Sequence, residues 1–402
     1  MRKLTIGNIF KVPSVMLHLG DNKWWVYFIR SVAITLLSWL LSYVVVYNLE
    51  DIAVFASAEK SSDFEISDIY NTIANHSDVS YASPDVTVVA VDDCSRQEIL
   101  DILEIVTAYN PKVIGLDVFF RVASNDSAIV ISTLNSIPNL VLPCILQMQE
   151  DGQYERITYS FVEKDVTTNY AYVNLNASAV VDVVRDFTPY CVIANGDTLH
   201  HIATEMAKIA SPNKYLTLQH RNNPTEIVKF SSVTIPVISA RDILNETDED
   251  YLSRYLTNRA ILIGDVENIN DMYSTPINGL VPGIIIHAYA LNTIMTEAYT
   301  NISPSWLNRI IALLICFLFV FLNMIVKNTW SHMGNMCMRF VQILLMFSMV
   351  YIGSYWYTIY LQYIDFSLLI LMIGFSALAV DIYDGIYAIG LQITKYIKTK
   401  KV

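Results

Sequence analysis

The sequence predicts an α/β domain, with a mixed or mostly parallel sheet and flanking helices, set between one membrane-spanning helix and three more. Three observations predict it. Apolar residues make up 53% of the 402 and charged residues only 16%, with a mean hydropathy of +0.39, a balance that belongs to a chain spending part of its length in lipid. Four apolar runs reach the about 20 residues of helix that a bilayer demands. Between the first and second runs, short continuously apolar segments alternate with amphipathic ones, as strands of a buried sheet alternate with the helices that cover it.

The spans are expected at residues 27–47, 307–326, 340–360 and 364–384. The first has no small-residue cleavage site after Tyr47 and is too long for a signal peptide, so it reads as an uncleaved anchor. Lys and Arg set the orientation. Arg2, Lys3, Lys11, Lys23 and Arg30 precede or open the first span, Lys327 and Arg339 separate the second from the third, and Lys395, Lys398, Lys400 and Lys401 follow the fourth. The link Leu361–Tyr363 has no base. All three basic flanks share one side if both termini are cytoplasmic. Residues 1–26 are then a cytoplasmic segment, 385–402 a basic cytoplasmic tail, and 50–304 an extracytoplasmic domain.

Charge divides the same way. The net charge of −12 hides a domain with 34 acids and 14 bases, while the flanks carry an excess of eight positive charges. So acidic a domain repels polyphosphate, which argues against a nucleic-acid partner. Arg30 and Asp381 fall near the inner ends of their spans, Arg309 and Asp365 near the outer ends; each pair is read either as a contact between helices or as charges snorkelling to headgroups. Gly374, Ser376, Ala377 and Ala379 give the fourth span a small-residue face for close packing.

Within the domain, Val86–Val91 and Lys112–Leu116 read as buried strands joined by a helix over Ser95–Asn110. Ser95 with Glu98 makes a capping box, and Ile99, Ile102, Leu103 and Val106 share a face. Strand, helix and strand form a βαβ unit. Later strands are expected at Leu140–Cys144, Tyr170–Asn174, Tyr190–Ala194, Ile227–Phe230 and Ala260–Ile263, and helices at Thr198–Ala210 after the cap Asp197 and at Ile284–Met295 after Pro282–Gly283. Ser303 and Pro304 suit the N-cap and first position of the second span. Cys94, Cys144 and Cys191 are too widely spaced for a disulfide framework; free buried thiols are expected, with a Cys144–Cys191 bridge as the alternative.

No catalytic motif appears: no Gly-rich phosphate loop, HExxH, GxSxG or paired CxxC. No enzyme activity, metal centre or cofactor is expected. His200 and His201 are adjacent, so on a helix they point about 100° apart and cannot form an i, i+4 metal pair. His287 reads as a helix residue near an N-terminus, packed in the core or bonded to the sheet rim. Asp92, Asp93 and Asp117 follow apolar strands, where an open α/β sheet places its ligand crevice. Asp265, Glu267 and Asp271 follow Ala260–Gly264. If these strands are neighbours, their carboxylates converge on one rim. Two readings stand: the acids accept backbone N–H bonds at turns, or they bind a cation or a cationic small molecule that offsets their repulsion.

Several segments now resemble a known family. VTVVAVDDCS (residues 86–95 with context), KVIGLDVFF at 112–120, DVVRDF at 182–187 and IPVISARDIL at 235–244 are similar to the type-2 CHASE domain, a sensory extracellular module associated with cyclases and histidine kinases. The closing block at 259–295 resembles it most, at Ile263, Gly264, Asp271, Thr275, Pro276, Pro282, Gly283, His287 and Ala288; Val183 departs from the family, which has Gly there. The resemblance covers about Asp51 to Ala298. It implies an environmental sensor of the bacterial inner membrane with a periplasmic domain, and it adds Thr275 to Asp92, Asp93, Asp117 and Asp271 as candidate ligand-binding residues. Only residues 385–402 follow the fourth span, so output is expected to lie in a homo-oligomer or in a separate membrane or cytoplasmic partner. A structural subunit of a larger membrane assembly is the alternative.

Overall fold

The computed structural model describes residues 23–48, 65–77, 81–177, 183–246, 248–277 and 279–400. Two units form: Asp63–Asn301 with Thr358–Leu361, and Met1–Ser62 with Ile302–Tyr357 and Gln362–Val402.

The first unit is built on a sheet of seven strands. In chain order these are β1 (Val86–Ala90), β2 (Val113–Asp117), β3 (Leu140–Met148), β4 (Tyr154–Ile157), β5 (Asn169–Tyr172), β6 (Val237–Ser239) and β7 (Ala260–Gly264). They run β6-β1-β7-β2-β3-β4, and β5 also pairs with β3. Every pairing is parallel except β3 with β4. The apolar runs explain why. Val86, Val88, Ala260, Leu262 and Val113 enter one core, whereas Val89, Ile261, Ile263, Ile114 and Leu116 enter another on the opposite face. Side chains alternate between faces and both faces are covered, so the strands show no polar alternation.

On the first face lie α5 (Ile202–Ala210) and α9 (Gly283–Thr296); on the second lie α3 (Arg96–Ala108), α4 (Ser127–Ser136), α7 (Ala240–Asn245) and α8 (Glu249–Leu256). The capping box of α3 forms as read: the Ser95 hydroxyl accepts from Glu98 N–H at 3.3 Å, and Ser95 N–H donates to Glu98 Oε2 at 2.7 Å. Two further helices complete the unit, α2 (Ile66–Ser77) and α6 (Pro212–Arg221). Asp68 of α2 receives both Nε and Nη2 of Arg185 at 2.8 Å. The Arg of the DVVRDF segment is therefore structural, tying α2 to the sheet unit.

Several expectations change. Tyr190–Val192 pairs with Thr198–His200, and Glu226–Ile227 with Asp186–Phe187; the first meets the main sheet through an isolated bridge, Ile193 to Tyr154 of β4. The helix expected from Thr198 starts at Ile202. Asp197 caps nothing, because Thr198–His200 is extended, and His201 takes the N-cap, its ring accepting from Ala203 N–H at 3.3 Å. The βαβ unit β1-α3-β2 is real, but its two strands are not neighbours: β7, from far along the chain, lies between them.

The second unit contains α1 (Lys23–Asn48), α10 (Ser305–Tyr360) and α11 (Ser367–Lys400), which supply four helical segments long and apolar enough to cross a membrane, at Trp24–Val45, Ser305–Lys327, Met333–Tyr360 and Ser367–Gly390. The connection between the second and third spans is itself helical: α10 is assigned as helix over 56 residues, which a straight helix would stretch to about 84 Å. It does not run straight. A Cβ on Gly334 would lie 2.7 Å from the Val326 carbonyl oxygen, eight residues earlier, where a straight helix would separate the two by roughly 10 Å. The chain therefore reverses between Val326 and Gly334, and Cys337 and Arg339 belong to the third span. Gln342 then bonds the Ile373 and Gly374 carbonyls of α11 at 2.6 and 3.1 Å.

The small-residue face of the fourth span packs closely, with Ser376 and Ala379 fully buried and Gly374 against Met346. Arg30 does not pair with Asp381; it lies over the Tyr387 ring at 4.7 Å, and Lys327 pairs with Asp384 at 3.3 Å. The helix carrying the second span is capped one residue later than Ser303 and Pro304 suggested, starting at Ser305. Pro304 is its N-cap, accepting from Asn308 N–H at 3.2 Å, while the Ser303 hydroxyl donates to the Asn308 side chain. The fourth starts at Ser367 rather than Ile364. All five cysteines are free, so Cys144 and Cys191 form no bridge; burial pushes the Cys144 thiol up to about 11.

Candidate functional site

Ala90 of β1, Gly264 of β7 and Asp117 of β2 stand abreast, since Gly264 is in register with both of its neighbours. All three strands point the same way, so the residues that follow them emerge at one edge. Asp92, Asp265 and Asp117 thus come together, with Asp271 from the continuation of β7. This is the edge outside the carboxyl ends of a parallel sheet, where open α/β sheets place their ligand crevice.

The four acids do different things. Asp92 ties two strand ends together: its Oδ1 accepts Val266 N–H at 2.6 Å and Glu267 N–H at 3.1 Å. Asp265 turns its own loop, accepting from Glu267 and Asn268 N–H at 2.9 and 3.1 Å. Burial, then hydrogen-bond contact with the Asp92 carboxyl, raises the Asp265 carboxyl above its ordinary range, because two carboxylates in contact need a proton between them.

Asp271 lies at the start of α9, with Gly283 N–H and the Tyr273 hydroxyl donating to it. A Cβ on Gly283 would meet the Asp271 oxygens at 2.8 and 2.9 Å, so a glycine there lets the carboxylate reach the helix N-terminus, where the dipole favours negative charge. Even so, burial and the Asp265 charge leave the Asp271 carboxyl raised. Asp117 accepts no hydrogen bond from the described residues. It is crowded by protein yet keeps some access to the crevice. Burial first, and the Asp271 charge second, push its carboxyl up to about 7.

Two predicted site residues stand apart. Asp93 is exposed in the turn closed by Cys94 N–H on the Val91 carbonyl, at a φ of 56°; Asp tolerates this left-handed position better than most residues. Thr275 ends a hairpin of β8 (Met272–Thr275) and β9 (Gly279–Pro282), its hydroxyl 3.4 Å from the Gly279 carbonyl. An extended strand of four residues puts it about 13 Å from Asp271.

His287 is in the core, one turn into α9 and 2% exposed. Its ring faces that of fully buried His201, centroids 4.9 Å apart. Burial holds both rings neutral, His287 down at about 4 and His201 well below the usual range. His287 also bonds the Val173 carbonyl. His200 sits outside this pair against Glu205, with Tyr215 at 3.3 Å. Among the described residues no three His, Cys, Asp or Glu side chains cluster tightly enough to hold a metal ion. Sequence reasoning missed Tyr273, which had no signal beyond its place two residues after Asp271, and the need for Gly283 as the seat of Asp271.

The CHASE2 domain family matches the chain over residues 53–324, more than half of its length. No curated protein and no solved structure matches significantly.

Proposed function

The chain belongs to the CHASE2 domain family, a family of sensory extracellular domains, and we propose that it is an inner-membrane sensor whose periplasmic domain binds a ligand at the acidic rim and passes the change through its spans to a partner. The observation that carries this reading is Asp117: an unbonded carboxylate, held against Asp271 and open to a crevice at the carboxyl edge of the sheet. Such a group is costly unless something arrives to satisfy it. Among the described residues no three metal-ligating side chains cluster here, and the ligand that fits two carboxyls is an organic cation whose N–H groups donate to Asp117 and Asp271. Asp271 touches the first residue of α9, and α9 ends at Thr296, nine residues before the second span begins. A ligand that moves Asp271 therefore acts on the segment leading into the membrane.

Thermal unfolding of the purified full chain with arginine, putrescine, spermidine and Ca²⁺ tests the binding. One of the organic cations at a hundredfold excess over its Kd raises Tm by about 5–10 °C, and Asp117→Asn with Asp271→Asn abolishes the rise. If none shifts Tm while another protein co-purifies in fixed ratio, the domain is a scaffold. Orientation is checked separately. An alkaline-phosphatase fusion after Thr300 is expected to be active and one after Lys401 inactive, because the basic flanks hold both termini in the cytoplasm; the reverse pattern sinks the periplasmic assignment.

A further inference from the structure

At the end of the helical unit where α1 leads toward the α/β domain, three helices surround a cavity of about 300 Å³. Its wall includes Trp39 and Ser42 of α1, Arg309 of α10, Asp365 just ahead of α11, and Leu368 and Leu371 in its first turns. One carboxylate and one guanidinium thus line the same space. They form no ion pair with each other, and Arg309 has no partner among the described residues. Asp365 uses Oδ1 to accept Ser367 N–H at 2.9 Å, which keeps its other oxygen free.

Opposite charges this near one another at the margin of a bilayer attract strongly and usually close up. Here Arg309 sits on α10 and Asp365 in the link just ahead of α11, across a gap, with the Trp39 and Tyr43 rings and two leucines elsewhere in the wall. We propose that the cavity binds a zwitterionic headgroup, a phosphate ester and a primary ammonium joined by a short linker. The planar Arg309 fork takes the phosphate oxygens, and Asp365 accepts from the ammonium. Leu368, Leu371 and Trp39 suit an attached acyl chain. An anionic headgroup lacking the amine leaves Asp365 unanswered and brings a like charge to it, so the pocket discriminates by charge pattern and not by net charge alone. The chemistry has two sources, an ethanolamine phospholipid of the surrounding leaflet or a free phosphoethanolamine.

Native mass spectrometry of the detergent-purified full chain separates the outcomes. Phosphatidylethanolamine is expected to bind about tenfold more tightly than phosphatidylglycerol of the same acyl chains, a difference of ~1.4 kcal/mol. Asp365→Asn should abolish this preference, and Arg309→Gln should weaken both lipids. Arg309→Lys keeps the cation and should retain the order of preference, which guards against reading misfolding as lost recognition. Displacement of the lipid by millimolar phosphoethanolamine assigns the site to a free ligand of the same chemistry; no displacement assigns it to the lipid. Equal binding of the two lipids by the native chain, or a preference untouched by Asp365→Asn, overturns the proposal and leaves two charges separately solvated at the bilayer surface.

Discussion

Arg221→Ala is expected to destabilise the α/β unit by about 3 kcal/mol, the lower end for stripping a buried ion of its partner. The Arg221 fork holds Glu226 through Nε at 2.7 Å and Nη2 at 3.0 Å, and Glu226 is 1% exposed. The same guanidinium reaches Asn301 Oδ1 at 3.0 Å and the Thr300 carbonyl at 3.4 Å, and covers the Tyr299 ring at 4.7 Å. One side chain therefore offsets the cost of a buried carboxylate and fixes the residues by which the chain leaves the α/β unit. For a unit of this size the loss corresponds to roughly 6–12 °C in Tm. Thermal unfolding checks the sum, and Arg221→Ala with Glu226→Gln checks the cause: the double variant recovers part of the loss, because no charge is left buried. A double variant as unstable as Arg221→Ala alone would show that packing over Tyr299 carries the effect.

Asp117→Asn is expected to act the other way and to stabilise the protein at pH 8. The Asp117 carboxyl is raised to about 7 when folded, from 3.8 for the unperturbed group. A raised carboxyl contributes stability that is complete below the unfolded value and is lost as pH climbs through the folded one. The full shift is worth about 4 kcal/mol, and partial access to the crevice reduces this to roughly half. The Asn side chain carries no charge at any pH. Native and variant proteins should therefore unfold together near pH 4 and separate as pH rises, with the variant about 4–8 °C higher at pH 8. A variant less stable than the native chain at pH 8 would mean that the carboxylate is bonded and useful to the fold, which removes the main support for a ligand at the rim.

The same residue shows how far the sequence reached. Asp117 was legible as a candidate because KVIGLD is a buried strand ending in an acid, and strand ends of that kind face a crevice. Asp93 has the same credentials in VAVDD, yet it is an exposed turn residue; one position along a turn reverses the direction of a side chain, and nothing local records it. Thr275 was carried by its resemblance to a family position and lies up a hairpin from the acids. His201 was placed inside a helix because Asp197 was read as its cap, but Thr198–His200 pairs with Tyr190–Val192, and that contact overrides the local preference.

Periodicity, charge and capping chemistry are local properties, so the sequence by itself determined what depends on them: four apolar helices, a domain between the first and second, the capped helix after Ser95 and the apolar strands of a covered parallel sheet. Strand order is not local. Placing β7 between β1 and β2 is decided by which apolar faces pack together across some 150 residues of chain, and only that placement brings Asp92, Asp265 and Asp117 to one edge. The reversal inside α10 and the gap between Arg309 and Asp365 have the same origin. Each is fixed by what a helix packs against, and each residue involved is unremarkable in its own neighbourhood. The tertiary structure alone turned scattered acids into a rim and two interfacial charges into opposite walls of one cavity.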